Sequence, residues 1–130
     1  MHLIGEAARR SGVSDKLIRY YEGIGVLARS ERHDNGYRLY DERHVCELRF
    51  IKRARSLGFP MKEIKELLGL WRNRRRSSSQ VRAIAQRHKA RLEERAREYQ
   101  TIVNVLGHLI DHCSGDERPD CPILDDLAPH

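Results

Sequence analysis

The stretch Ile4-Gly5-Glu6-Ala7-Ala8-Arg9-Arg10-Ser11-Gly12-Val13-Ser14-Asp15-Lys16-Leu17-Ile18-Arg19-Tyr20-Tyr21 decides the fold. Its apolar residues, with Leu3 just before them, recur at spacings of three to five: Ala7 and Ala8, then Val13, Leu17, Ile18 and Tyr21. That is the pattern of two short amphipathic helices. Ser11-Gly12-Val13-Ser14 breaks the pattern, and Ser14 suits the N-cap of the second helix. Two helices of this size joined by so short a turn have helix-turn-helix proportions. The second presents Asp15, Lys16, Arg19 and Tyr20 on its outer surface, where its N-terminal half would enter a major groove. Lys16 and Arg19 suit phosphates or guanine edges.

Beyond Glu22, Gly23-Ile24-Gly25-Val26-Leu27 leads into the polar run Ala28 to Asn35 and then Gly36-Tyr37-Arg38-Leu39-Tyr40. Asn35-Gly36 between the Val/Leu and Tyr/Leu/Tyr segments predicts a small β-hairpin, a wing carrying Tyr37 and Arg38. Asp41 is placed to cap a third helix through Val45, Leu48, Ile51 and Ala54 that stops near Gly58. Pro60 suits the first turn of a fourth helix with Ile64, Leu67, Leu68 and Trp71. Arg72, Arg74, Arg75 and Arg76, followed by three serines, form the one linker-like stretch.

A long helix follows. Ala85, Leu92, Tyr99 and Leu106 recur every seven residues, and His88, Arg95, Ile102 and Leu109 form a second series offset by three. This is an a/d seam that a small chain cannot bury alone, so it predicts pairing with a second copy. The polar seam residues His88 and Arg95 read as fixing register, with metal binding by His88 the lesser alternative.

The chain has 130 residues, 39% hydrophobic and 34% charged, enough for about one domain with a modest core. No stretch is apolar enough to span a bilayer, and Glu6, Arg9 and Arg10 stand where a signal peptide needs an apolar core. A cytoplasmic protein with no membrane partner is therefore expected. Three cysteines are too few, and of the wrong parity, for a disulfide scaffold. The net charge of +6 and pI near 9.5 point to a polyanion such as nucleic acid. The charge is uneven. Residues 1–76 hold 18 Lys and Arg against 10 Asp and Glu, whereas residues 77–130 hold 7 against 9.

Leu17-Ile18-Arg19-Tyr20-Tyr21-Glu22, Asn35-Gly36-Tyr37-Arg38-Leu39-Tyr40 and Ile51-Lys52-Arg53-Ala54-Arg55-Ser56-Leu57-Gly58-Phe59 together resemble, in order and spacing, the signature blocks of the MerR family of transcription activators. The resemblance covers essentially the whole chain. It implies a mainly α fold: a winged helix-turn-helix DNA-binding region with a second helical pair over residues 1–76, a long antiparallel coiled-coil dimerisation helix over 77–112, and a short metal-binding loop and tail over 113–130. By motif position it implies DNA contacts from Lys16, Arg19 and Tyr20, from Arg32, Tyr37 and Arg38 of the wing, and from Arg55. Tyr21 and Tyr40 read instead as packing residues.

Cys113 and Cys121 bracket seven residues rich in Gly, Pro and Asp, a tight loop ahead of a short last helix beginning near Pro122. Two readings stand for such a pair alone: buried thiols or an adventitious disulfide, and a metal site. The loop is similar to that of the copper-efflux regulators within the same family, which implies a metal site. Two soft thiolates suit a linear monovalent ion, Cu(I), Ag(I) or Au(I), whereas Zn(II) completes a tetrahedron. Zinc- and mercury-sensing relatives add a cysteine where this chain has Ser78, so Ser78 is a metal-selectivity position by the same resemblance. The N-terminal end of the last helix is placed to stabilise the net charge of −1 on two thiolates and one M⁺. His108 and His112, four apart beside Cys113, are expected on an exposed face or at the helix end rather than in a zinc shell. Cys46 is expected as a small buried residue.

The reading is thus a homodimeric, non-enzymatic transcription regulator that binds double-stranded promoter DNA and Cu(I), Ag(I) or Au(I), and acts on RNA polymerase by distorting the promoter. Three alternatives remain: a relative sensing a divalent metal such as Zn(II) or Cd(II) or thiol oxidation, a cytosolic metal-storage or delivery protein, and a thiol enzyme. For the last, His112 beside Cys113 is poor evidence of a base.

Overall fold

The computed structural model describes residues 1–32, 36–119 and 121–129. The elements in chain order are α1 (Ile4–Ser11), α2 (Asp15–Gly23), β1 (Glu31–Arg32), β2 (Arg38–Leu39), α3 (Glu42–Ser56), α4 (Met61–Arg72), α5 (Ser78–Asp111) and α6 (Pro122–Leu127). The protein is mainly helical with one small antiparallel ribbon. It divides into two compact units, Met1–Ile84 and Ala85–His130. Among the described residues no helix is long and apolar enough to cross a membrane.

In the first unit the apolar positions of the expected pattern converge. Ala7, Val13, Ile18, Tyr21, Tyr40, Leu48, Ile51, Ala54, Ile64 and Leu68 are buried in one cluster together with Val26 and Leu27. The turn between α1 and α2 depends on Gly12, whose φ of 74° is left-handed and whose N–H returns to the Ala8 carbonyl. A Cβ there would also displace the flexible end of Lys52, but it is the left-handed φ that favours glycine at this turn. Ser14 caps α2, its hydroxyl accepting from the Leu17 N–H at 3.2 Å.

The wing differs from the expectation in one strand. Val26 and Leu27 do not pair in the ribbon. Their amides both donate to the Tyr21 carbonyl, and their side chains turn into the core, reversing the chain after α2. The pairing strand is the polar Glu31–Arg32, in register Glu31↔Leu39 and Arg32↔Arg38. Burial of Val26 and Leu27 outweighs their β-propensity. The expected turn residue Asn35 lies outside the described residues. Tyr40 extends the ribbon by a bridge to His2.

Asp41 caps α3 reciprocally: its carboxylate accepts from the His44 N–H at 2.9 Å, and its own N–H donates to His44 Nδ1 at 3.1 Å. The His44 ring also places Nδ1 2.8 Å from the Asp41 carboxylate and Nε2 3.1 Å from the Ala28 carbonyl. Pro60 stands one position earlier than expected, as the N-cap of α4 rather than inside its first turn. The packing of α3 on α4 includes a buried acid: Glu47, 1% exposed, receives two bonds from Arg72, 2.7 Å from Nε and 2.8 Å from Nη2. Arg72 also donates to the Val26 carbonyl at 3.0 Å. No buried side-chain N or O lacks a partner among the described residues.

Cys46 corrects its expectation. It is exposed, on the rim of an open apolar groove of about 500 Å³ that includes Phe50 and Trp71, whose rings stack at 5.0 Å. It stands one position off the buried face formed by His44, Val45, Glu47 and Leu48, which is why a 3.6-residue period puts it outside.

In the second unit, α5 keeps its stripe largely uncovered: Leu92, Tyr99, Ile102, Val103, Val105, Leu106 and Ile110 are all exposed. His88 is buried, with Arg91 Nη2 3.4 Å from its Nδ1.

The Asp41 cap carries a pH signature. The His44 N–H, and then the His44 side chain, hold the Asp41 carboxyl below its ordinary value. A depressed carboxyl stabilises the fold above its unfolded pKa of about 3.9 and loses that contribution as pH falls through the folded value. Asp41→Ala should cost about 1 kcal/mol in urea unfolding at pH 7. The gap between the two chains should close as pH is lowered below about 4; a gap that persists there would show that the cap is not the cause.

Candidate nucleic-acid interface and thiol site

Helix α2 exposes Lys16, Arg19 and Tyr20, as its outward positions predict, and buries Ile18 and Tyr21. In the wing Arg32 and Tyr37 are exposed and Arg38 is half-buried. What brings helix and wing together is Glu22, at the end of α2. Its carboxylate accepts from the Tyr40 hydroxyl, from the Ser30 N–H at 3.3 Å and from the Ser30 hydroxyl at 3.1 Å, and lies 3.6 Å from Arg38 Nη1. Burial, and then the Glu22 carboxylate, push the Tyr40 hydroxyl pKa up, so Tyr40 stays a proton donor.

Around this anchor a polar cleft of about 300 Å³ is lined by Arg19, Arg29, Arg32 and Arg38, with Glu22 and Ser30. Four guanidiniums from one helix, one loop and two strands thus face one space. Arg29 and Glu22 are the residues that motif reading missed. Arg29 lies in a polar run with no periodicity, and a lone acid in a basic segment gives no sign of its partners. Arg55, at the far end of α3, donates to the Tyr21 hydroxyl at 2.7 Å, and that bond raises its already high pKa. It is exposed but braced on the back of α2.

In the second unit, Cys113 follows α5 and Cys121 is the N-cap of α6. Gly115, at φ 67°, turns the loop between them. The two half-buried thiols stand 3.6 Å apart, within hydrogen-bond reach and not joined as a disulfide. The Leu124 N–H at the start of α6 is the main influence holding the Cys121 thiol below its ordinary value, followed by the Cys113 thiol and the Ile123 N–H; Asp125 opposes them. This is the helix N-terminus acting on an anion. Asp116 is tied to Arg118 Nε at 2.9 Å. His108 and His112 are exposed, and His112 Nδ1 bonds to the His108 carbonyl at 2.8 Å. Among the described residues no group of three or more His, Cys, Asp or Glu is placed to hold a metal. The two thiols are the soft donors that this loop brings together among the described residues. Ser78, the first residue of α5, is exposed and belongs to the other unit.

A family model described as MerR HTH family regulatory protein matches residues 3–70, and another, described as MerR, DNA binding, matches residues 45–109. The chain is 51% identical over 125 residues to Heavy metal-dependent transcription regulator 2 of Rhizobium meliloti (strain 1021), covering 96% of this chain and 85% of that one. It is 52% identical over 125 residues to HTH-type transcriptional regulator HmrR of Sinorhizobium medicae (strain WSM419), with the same coverage of 96% and 85%. Among solved structures it is similar to the transcription regulator PbrR691 from Ralstonia metallidurans CH34 in complex with lead(II), with a TM-score of 0.87 and 30% identity over 98% of this chain and 100% of that one.

The amides of α6 hold the Cys121 thiol below its ordinary value in the folded state. Its alkylation by iodoacetamide, followed by peptide-resolved mass spectrometry against pH, should reach half its limiting rate at a lower pH in the native chain than in urea. Coincident profiles would remove the helix N-terminus as the cause.

Proposed function

The chain belongs to the MerR family of helix-turn-helix transcription regulators, which are not enzymes, and from that premise we propose that it is a metal-responsive activator whose effector is a thiophilic monovalent ion, Cu(I) foremost with Ag(I) and Au(I) beside it. The observation that carries the reading is the pair Cys113 and Cys121, half-buried, 3.6 Å apart and set at the start of α6. The 51% identity to a protein named as heavy metal-dependent supports a metal of some kind, and the two-donor set supports a monovalent one. A serine at position 78 adds no thiolate, which keeps the charge of the site low around M⁺.

The DNA-facing part of the proposal uses Lys16, Arg19 and Tyr20 of α2, Arg32, Tyr37 and Arg38 of the wing, and Arg55. The exposed stripe of α5 is proposed to pair with a second copy, giving a homodimer that meets the two halves of a palindromic promoter. In the cytoplasm, such a dimer would act on RNA polymerase through the shape of the promoter. The energy of the switch comes from the difference in metal affinity between two DNA-bound conformations, so metal and DNA geometry must influence each other equally. Twisting or bending the duplex costs on the order of several kcal/mol, so promoter sequence at uncontacted positions contributes to recognition.

One observation favours a second reading. A linear S–M–S unit with bonds near 2.3 Å spans about 4.6 Å, whereas the S···S edge of a tetrahedral thiolate site is about 3.8 Å. The separation of 3.6 Å is nearer the latter. A monovalent ion therefore requires the loop to open by about 1 Å, and a divalent ion requires further donors.

Cys113→Ser and Cys121→Ser should each abolish metal-dependent transcription while leaving promoter affinity within a few fold. Full induction by Cu(I) in both variants would overturn the proposal, and induction by Zn(II) alone in the parent chain would select the divalent reading. Arg19→Ala should weaken promoter binding at least several-fold without metal and lower the slope of log affinity against log salt; unchanged affinity across the salt series would exclude α2 as the reading helix.

A further inference from the structure

The end of α5 and the residue that follows it carry a feature that the thiol site does not use. His108 and His112 are four residues apart on one helix face, their ring centroids 4.2 Å apart, and both are exposed. A carbonyl only accepts, so the 2.8 Å bond between His112 Nδ1 and the His108 carbonyl fixes the proton on Nδ1. The Nε2 of a neutral, exposed His112 is thereby left with the lone pair. That is the arrangement in which a histidine binds metal, one ring nitrogen donating to a backbone carbonyl and the other left as ligand. His108, one turn earlier, offers its imidazole beside it.

We propose that His108 and His112 form a second cation site, separate from the thiol pair, which takes a divalent ion of borderline softness such as Ni(II), Zn(II) or Cu(II). Imidazole suits these ions, whereas the monovalent soft ions prefer sulfur. Three features of the surroundings act in the same direction. The site sits at the C-terminal end of a 34-residue helix, where the unpaired carbonyls favour positive charge. Asp111 lies between the two histidines in sequence, and the segment from Asp111 onward carries six acidic residues against Arg118 alone. Both rings are already in water, so an ion keeping some of its own waters can bind without burying a charge. With no third protein donor grouped there among the described residues, water completes the shell, and binding is reversible and weaker than at a structural zinc site. An ion held across one turn clamps α5 immediately before Cys113.

The test uses the full chain carrying Cys113→Ser and Cys121→Ser, so its outcome does not depend on what the thiols bind. Equilibrium dialysis with Ni(II) should give one ion per chain. Paramagnetic Ni(II) should broaden the imidazole signals of His108 and His112 before those of the other histidines. Adding His108→Gln or His112→Gln, each on the exposed surface and compatible with folding, should weaken binding about tenfold or more. Undiminished affinity in both glutamine variants, or first broadening at another histidine, would overturn the proposal, as would the absence of Ni(II) binding to the thiol-free parent.

Discussion

The carboxylate of Glu22 is the constraint on which the arginine-lined surface proposed to face DNA depends. It closes α2, and by accepting from Ser30 and Tyr40 and lying beside Arg38 it ties the helix to both sides of the wing. A ribbon with strands of two residues has little stability of its own. Its position relative to α2 is fixed by this buried acid and by Tyr40, which is wholly buried and bridges to His2. Four arginines line the resulting cleft, and one carboxylate at its base offsets part of their mutual repulsion. Breaking such a hub would leave charges or hydroxyls without partners in a partly dry place, which costs more than the bonds themselves contribute in water.

A second buried acid plays a similar part behind that surface. Glu47 binds Arg72 in fork geometry, and Arg72 reaches the Val26 carbonyl, so α3, the end of α4 and the turn after α2 share one charged node. The bracing of Arg55 on Tyr21 adds a further link, from α3 to α2. The first link ties α3 and α4 to the turn after α2, and the second ties α3 to α2 itself, the element proposed to read DNA.

The second unit follows a different logic. It has little buried apolar surface of its own, and α5 leaves a stripe of Leu, Ile, Val and Tyr exposed. An exposed apolar strip of that length calls for a partner surface, and a heptad seam is complementary to itself. At its far end the chain concentrates chemistry rather than packing. From the end of α5 to the start of α6 lie two exposed imidazoles, a thiol pair and the amide end of α6. The charge division follows the same line, positive over residues 1–76 and slightly negative over residues 77–130.

The sequence by itself determined the helices and the chemistry carried along them. Apolar spacing placed α1 through α5, Ser14 and Asp41 marked two helix starts through their own side chains, and the outward positions of Lys16, Arg19 and Tyr20 followed from helical period alone. These are local properties, and local sequence is enough to specify them. Tertiary structure alone decided the rest. Val26 and Leu27 look like a strand and are core, because burial outweighed propensity; Cys46 looks like core and is exposed, because one step of 100° carried it past the buried face. Glu22 found Ser30 and Tyr40, and Glu47 found Arg72, through contacts eight to 25 residues apart that no periodicity encodes. The convergence of Cys113 and Cys121 was legible as a loop, but their separation, and the amides that make Cys121 acidic, depend on how α6 closes back on that loop.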